Sequence, residues 1–215
     1  MRTVLVTGGT TRLGKVIAEH LATVGWRVLT TSHRSDVGAD FTADLSDPAG
    51  PAKLYAAVLD RLGGNPPDAL VNNAALFAGT EEELVRLNFE APKKLTMLMA
   101  GRETGVGAVV NILDSGILDC KRLQSTAVDC YRESKRSLLD FTRSSAAMFA
   151  ETLRVNAVAP GPVLAPTDVH VKAGETLLDR RPTADDVAAA VSYLLGAESV
   201  TGVVIPVDAG QHLIR

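Results

Sequence analysis

The feature that most constrains the fold is an alternation of short, β-branched apolar runs with longer amphipathic segments along all 215 residues. Most of the short runs are apolar at every position, which is typical of parallel strands covered by helices on both faces of the sheet. Seven strands are predicted: Thr3–Thr7, Arg27–Thr31, Asp40–Thr42, Ala69–Asn72, Ala108–Leu113, Arg154–Ala157 and Val203–Val207.

Helices are predicted between these strands. Ser46 or Asp47 is expected to cap the second helix, and Thr183 with Asp186 the last one. Pro92, which lacks an N–H, is expected to interrupt the third helix. The pattern predicts an α/β fold with a doubly wound parallel sheet, a single domain over residues 1–215 and a ligand crevice at the carboxyl ends of the strands. The predicted helices are Gly14–Val24, Ser46–Leu62, Glu81–Arg102, Ser125–Glu151 and Thr183–Leu195.

One connection departs from this plan. The segment Ser32–Phe41 between the second and third strands is shorter than the roughly dozen residues that a parallel crossover normally needs. We therefore expect no packed helix there, and a thinly covered part of one sheet face.

Composition excludes several classes of protein. Lys and Arg number 22 against 25 Asp and Glu, a net charge of −3 that offers no basic surface for nucleic acid. No apolar stretch approaches the roughly 20 residues that span a bilayer, so no membrane partner is expected. Cys120 and Cys130 are too few for a disulfide framework, which predicts reduced thiols and a cytoplasmic location.

The segment Thr7–Gly14, with the sequence TGGTTRLG, follows the first strand and opens the first helix. Glycine allows a tight turn and close approach of a pyrophosphate, which the free N–H groups at the helix N-terminus then bind. The context predicts nucleotide binding, and the alternative is a purely structural turn.

The residues after the second strand indicate which dinucleotide binds. An acid at this place accepts a hydrogen bond from the ribose of NAD, whereas a cation accommodates the 2′-phosphate of NADP. Here the sequence reads Ser32-His33-Arg34-Ser35, with no acid before Asp36. The planar guanidinium of Arg34 favours NADP(H), and the alternative is a solvated polar loop.

Tyr131 and Lys135 stand four residues apart and so share one face of a helix. The ammonium favours the ionised phenol and is expected to lower the pKa of Tyr131 from about 10 towards the range of an acid catalyst. Such a pair is common on helix surfaces. It becomes specific beside the nucleotide turn and the Asn72-Asn73-Ala74 segment that ends the fourth strand.

Taken together, these motifs resemble the short-chain dehydrogenase/reductase family along essentially the whole chain. The resemblance implies a Rossmann fold, Tyr131 as acid/base, Lys135 on the nicotinamide ribose and Asn88 ordering a proton-relay water. The cofactor contacts that it implies are Gly8, Thr10, Arg12, Leu13, Gly14, His33, Arg34, Ser35, Asp44, Leu45, Asn73, Ala74, Pro160 and Gly161.

Within the family, the chain is similar to the pteridine reductase and dihydromonapterin reductase branch. Arg12 replaces the middle glycine of the turn, His33-Arg34-Ser35 recurs, and Phe77 matches the aromatic that stacks on the pterin. The segment Asp208–Leu213 also fits this branch. The resemblance implies NADPH-dependent reduction of a dihydropterin or dihydrofolate.

Asp114 stands after the fifth strand, where most family members carry a serine. A carboxylate repels the alkoxide that develops during ketone reduction. Reduction of a C=N bond instead needs a proton at nitrogen, which an Asp114/Tyr131 pair can relay. The alternative is that Asp114 caps the loop and Ser115 takes the catalytic place.

Two other functions stay open: reduction of a 3-oxoacyl thioester or another ketone, and a catalytically silent NADPH sensor. The histidines show no spacing typical of metal ligands, so no metal is expected. The resemblance implies a small-molecule substrate and a homotetramer or homodimer.

Overall fold

Seven parallel strands form the central sheet of the computed structural model, which describes residues 1–103, 105–118, 130–163 and 176–214. The strands are β1 Thr3–Val6, β2 Arg27–Ser32, β3 Phe41–Thr42, β4 Ala69–Asn72, β5 Gly107–Ile112, β6 Leu153–Pro160 and β7 Val204–Val207. The helices are α1 Arg12–Thr23, α2 Gly50–Arg61, α3 Glu81–Val85, α4 Ala91–Ala100, α5 Cys130–Met148 and α6 Ala184–Gly196.

The strand order is β3-β2-β1-β4-β5-β6-β7. The first three strands are added in one direction from β1 and the last four in the other, so the order reverses between β1 and β4. This reversal opens a crevice at the carboxyl ends of the strands. The predicted doubly wound α/β fold is confirmed, and so are all seven predicted strands.

Helices cover both faces of the sheet. In β1, Val4 and Val6 pack with α1 and α6, while Leu5 between them packs with α2 and α4 on the other face. The apolar character of both strand faces follows from this burial. Within the described ranges, no helix is long and apolar enough to cross a membrane.

Two helix starts differ in how well the sequence predicted them. The Thr183 side chain accepts from the backbone N–H of Asp186, and the Asp186 carboxylate accepts from the backbone N–H of Thr183, as predicted. The predicted start of α2 at Ser46 or Asp47 is wrong, because α2 begins at Gly50. The Asp47 carboxylate instead accepts from the backbone N–H two residues later, at 3.0 Å, and closes a local turn before the helix.

Between β2 and β3 the chain forms one 3₁₀ turn, Ser35–Val37, and no packed helix, as predicted from the short connection. Some predictions fall outside the described residues. These are the state of Cys120, the helix start at Ser125, most of the loop before α5 and most of the segment after Pro162.

A chain of buried polar side chains joins the sheet to α5. The Asn72 amide donates to the Asn111 carbonyl oxygen at 2.8 Å, and the Asn111 amide donates to the Thr142 hydroxyl at 2.9 Å. All three side chains are buried, and Thr142 lies on α5. Because α5 also carries Tyr131 and Lys135, this network fixes the height of both side chains above the sheet.

We expect Asn111→Leu to lower the free energy of unfolding by about 2–4 kcal/mol, because it removes two buried hydrogen bonds, one from the Asn72 amide and one to the Thr142 hydroxyl. Urea denaturation measures the change. Asn65→Leu makes the same replacement at an exposed position after α2 and should change stability by less than about 0.5 kcal/mol. Equal stability of Asn111→Leu and wild type would show that the network contributes nothing.

Candidate active site

A cleft of about 770 Å³ lies at the carboxyl ends of the strands. Its volume is in the range of small-molecule and cofactor sites. Among the residues predicted for the site, Ser35, Phe77, Asn88 and Ser115 do not line this cleft. Those that do are Gly8, Thr10, Arg12, Leu13, Gly14, His33, Arg34, Asp44, Leu45, Asn73, Ala74, Asp114, Tyr131, Lys135, Pro160 and Gly161.

The glycine turn is locked to the end of β4. The Asn73 amide donates to the carbonyl oxygens of Thr7 and Gly8, at 3.0 and 3.2 Å. The Thr7 hydroxyl accepts from the backbone N–H groups of Asn73 and Ala74, both at 3.0 Å. A Cβ atom on Gly14 would lie 2.1 Å from the Gly8 carbonyl oxygen, so only glycine fits there.

The N-terminus of α1 meets the requirements of a phosphate site. Its first turn carries no acidic residue, and the side chain of Thr11, the N-cap, makes no capping hydrogen bond. The first N–H groups of the helix therefore remain for an anion in the cleft. Arg12 has a φ of +49°, a left-handed conformation that costs a non-glycine residue about 1 kcal/mol or more.

Polar residues in the loops after β2 and β3 line the part of the cleft next to these strands. The Arg34 backbone N–H donates to the Ser32 hydroxyl at 3.0 Å, which orders the start of this loop. Asp44 accepts from the hydroxyl and the backbone N–H of Ser46, at 2.6 and 2.9 Å. These two hydrogen bonds lower the pKa of Asp44 below its usual value, so the carboxylate is ionised at neutral pH.

Asp114 makes two contacts that the sequence presented as alternatives. One carboxylate oxygen accepts from the Gly116 backbone N–H at 2.7 Å and caps a 3₁₀ turn. The other oxygen accepts from the Tyr131 hydroxyl at 3.1 Å. Ser115 is 2% exposed, so the described part of the cleft presents Asp114 to Tyr131 and keeps Ser115 buried.

Lys135 is buried beneath this pair, at 3% exposure. Its ammonium donates to the Ile112 carbonyl oxygen, at the end of β5, at 2.8 Å. Burial lowers the pKa of Lys135 to about 8, and the negative charge of Asp114 opposes that shift. The amine therefore changes charge around pH 8, one helical turn from Tyr131.

Phe77 lies at the rim of the site. Its ring centre is 4.8 Å from that of Tyr131, with the two planes inclined by 52°. The side chain is 79% exposed, so most of its ring is available to a ligand. An exposed aromatic ring beside a proton-donor phenol suits a flat, partly polar substrate.

Asn88 is buried, and its side chain contacts the backbone next to Phe77. Its carbonyl oxygen accepts from the Leu76 N–H and its amide donates to the Leu76 carbonyl, both at 2.8 Å, which fixes the segment beside Phe77. The amide also donates to the Ser134 hydroxyl on α5 at 3.2 Å. This side chain is thus occupied by protein groups, and its predicted part in a water relay would rest on its backbone carbonyl.

The backbone carbonyl of Asn88 has no partner of the α-helical kind, which would be the N–H four residues later. Arg86–Glu90 is a π-helical segment, in which the Ala91 N–H donates to the Arg86 carbonyl. Pro92, four residues after Asn88, has no N–H to donate. The predicted interruption is confirmed, and a proline at this spacing was the sequence signal for it.

Several lining residues were not predicted as site residues. Leu87 lies in the π-helical segment Arg86–Glu90, and the others lie at strand ends and in adjoining loops, where the parallel sheet brings distant parts of the sequence together. Single-residue signals for them are weak, because all are apolar or hydroxyl-bearing residue types that occur throughout the chain. They are Thr11, Thr31, Ser32, Ala43, Ser46, Ala75, Leu76, Leu87, Ile112, Leu113, Pro162 and Val163.

Comparison with known proteins agrees with this geometry. Residues 10–212 match the family model described as enoyl-(acyl carrier protein) reductase. The crystal structure of FolM alternative dihydrofolate reductase 1 from Brucella canis, complexed with NADP, has a TM-score of 0.86 and 32% identity, covering 100% of this chain and 95% of that chain.

Two sequence relatives span nearly the whole chain. Protein FixR of Bradyrhizobium diazoefficiens is 29% identical over 99% of this chain and 87% of its own length. The 3-oxoacyl-(acyl-carrier-protein) reductase FabG of Vibrio cholerae is 27% identical over 98% of this chain and 97% of its own length. Fold and cleft define a nucleotide-binding α/β protein, and the chain belongs to the short-chain dehydrogenase/reductase family.

The burial of Lys135 predicts a pH dependence of stability. Because its folded pKa of about 8 lies below the ordinary 10.5, the folded chain binds fewer protons than the unfolded chain between these values. Raising the pH through this window should therefore stabilise wild type relative to Lys135→Met by about 1 kcal/mol per pH unit.

Chemical denaturation of both proteins across this pH range measures that difference. Lys15→Met, at an exposed position on α1, is the matched control, and its stability difference from wild type should not change with pH. A pH-independent difference between wild type and Lys135→Met would contradict the lowered pKa of Lys135.

Proposed function

We propose that this protein is an NADPH-dependent reductase that converts a dihydropterin or dihydrofolate to its tetrahydro form. The observation that carries the proposal is the hydrogen bond of 3.1 Å between the Tyr131 hydroxyl and Asp114, with the Phe77 ring beside it. The structural similarity to the NADP complex of FolM alternative dihydrofolate reductase 1 supports the same reaction class.

The residues of the cleft fit NADP(H). Gly8, Gly14 and the uncapped first turn of α1 would hold the pyrophosphate, and Arg34 the 2′-phosphate. Asp44 would accept from the adenine, while Pro160 and Gly161 would border the other end of the dinucleotide. When bound, NADPH supplies the hydride.

The protein's own part of the reaction is to deliver a proton to the substrate nitrogen. Tyr131 holds a proton at its hydroxyl, and Asp114 accepts a hydrogen bond from it, so the two groups form a short relay. The nearby charge of Lys135 favours an ionised Tyr131 after the proton has left. The substrate gains one hydride at carbon and one proton at nitrogen, and solvent restores the proton.

The substrate site is proposed to lie between Phe77 and the cofactor end of the cleft. The exposed face of Phe77 offers stacking area to a planar ring. Arg12 is held in its left-handed conformation at the cleft wall, where its guanidinium would bridge a phosphate and the substrate. We propose a relay water on Asn88 as well, and we assign Ser115 to supporting the Asp114 turn.

A second candidate function is reduction of a 3-oxoacyl thioester, which the similarity to the Vibrio cholerae reductase favours. In that reaction a serine hydroxyl binds the ketone oxygen. The burial of Ser115 and the carboxylate of Asp114 at this place argue against it, since the carboxylate repels a developing alkoxide.

We further propose a cytoplasmic location and a homotetramer, or a homodimer, joined through the helices that hold Asn88 and Tyr131. Met97 on α4 and Met148 on α5 are 49% and 69% exposed, and an interface through these helices would bury both side chains.

NADPH oxidation with a substrate panel tests the function. We expect turnover of dihydrobiopterin or dihydrofolate, little turnover of acetoacetyl thioesters, and a loss of about 100-fold or more in kcat for Tyr131→Phe, which removes the proton donor. Preference for the thioester would select the second function. Tight NADPH binding without turnover of any substrate would indicate a silent NADPH sensor.

Arg34→Ala should weaken NADPH binding by about 10- to 100-fold while NADH binding stays the same, because only NADPH places a phosphate against this guanidinium. Isothermal titration calorimetry of both nucleotides measures the effect. Arg61→Ala, in the exposed last turn of α2, is the control and should change neither affinity. Equal losses for NADPH and NADH would remove Arg34 from the 2′-phosphate site.

A further inference from the structure

A buried carboxylate lies just outside the cleft and takes no part in the proposed reaction. Asp208 directly follows β7 and is 2% exposed. One of its oxygens accepts from the Gly210 N–H at 3.0 Å. The other accepts from the His212 backbone N–H at 2.9 Å and lies 2.8 Å from His212 Nδ1. Because an ionised carboxylate only accepts, Nδ1 carries a proton in this pair.

Asp208 packs directly behind the wall of the cleft. The Gly161 N–H donates to the Val207 carbonyl at 2.9 Å, which brings Gly161 against the residue that follows. A Cβ atom on Gly161 would lie 2.7 Å from the Asp208 Cβ and 2.9 Å from its Cα. No free space separates the two backbones, so a shift of Asp208 moves Gly161.

The turn that Asp208 organises touches other parts of the site. Its 3₁₀ segment Gln211–Leu213 packs against Ser115–Ile117, the turn that Asp114 caps. Ala209 has a φ of +52°, an unfavourable conformation for a residue with a side chain. The hydrogen bonds of the Asp208 carboxylate hold the turn in this conformation.

The imidazole of His212 completes the set of donors around the carboxylate. A charge this deeply buried is tolerated only when its hydrogen-bonding capacity is met. Without the imidazole, two backbone N–H groups remain from the turn itself, and the carboxylate is driven to move towards water. The wall at Gly161 would then lose its support.

We infer that Asp208 and His212 form a positioning pair that holds the Pro160–Gly161 wall against the nicotinamide half of NADP(H). The inference rests on the proposed cofactor. The adenine half would bind after β1, β2 and β3, and β6 lies three strands from β1, roughly 14 Å across the sheet. Loss of the pair should therefore affect one half of the dinucleotide and spare the other.

Calorimetric titration of the whole 215-residue chain with NADP⁺ and with 2′,5′-ADP tests this. The second ligand carries the adenosine half alone. We expect His212→Ala to weaken NADP⁺ binding by about tenfold and to leave 2′,5′-ADP binding within about twofold of wild type. His212→Asn retains a side-chain N–H donor and should recover most of the NADP⁺ affinity.

Two further variants sharpen the test. Gly161→Ala pushes the wall from the other side and should reproduce the selective loss of NADP⁺ affinity. His20→Ala makes the same replacement on α1, away from the cleft lining, and should change neither affinity.

Equal weakening of both ligands by His212→Ala would assign His212 to general stability and overturn the inference. Unchanged NADP⁺ binding in that variant, or no recovery in His212→Asn, would overturn it as well. Failure of wild type to bind either ligand would instead overturn the proposed cofactor, and the inference with it.

Discussion

Parallel strands have to be covered on both faces, because most of their side chains are apolar in both directions. In β1 this requirement places Val4 and Val6 under α1 and α6, and Leu5 under α2 and α4. All seven strands then end at the same edge of the sheet. The polar residues of the site come together at that edge because helices pack on both faces of the sheet.

Unfavourable local features concentrate at the same edge. Arg12 adopts a left-handed backbone conformation, and Lys135 is buried with its pKa lowered to about 8. Each of these features costs stability and is tolerated because the sheet supports it. Such costs are expected where side chains are arranged for binding and proton transfer.

The fold was predictable because its signals are local and repeated. Apolar runs identified the strands, the short connection Ser32–Phe41 correctly indicated no crossover helix, and Pro92 marked the interruption beside Asn88. The predicted start of α2 was wrong because the Asp47 carboxylate accepts a hydrogen bond within a turn and does not cap the helix. Aspartate is common in both positions, so the residue type does not distinguish them.

By itself, the sequence determined the doubly wound sheet, the glycine turn and the set of polar residues at the strand ends. These features depend on the spacing of apolar residues and on residues that are close together in the chain. Only the tertiary structure decided that Asp114 meets Tyr131 while Ser115 is buried, and that Asp208 packs behind Gly161. Those contacts join residues from different strands and helices. Their distances follow from how the elements pack, which no local pattern records.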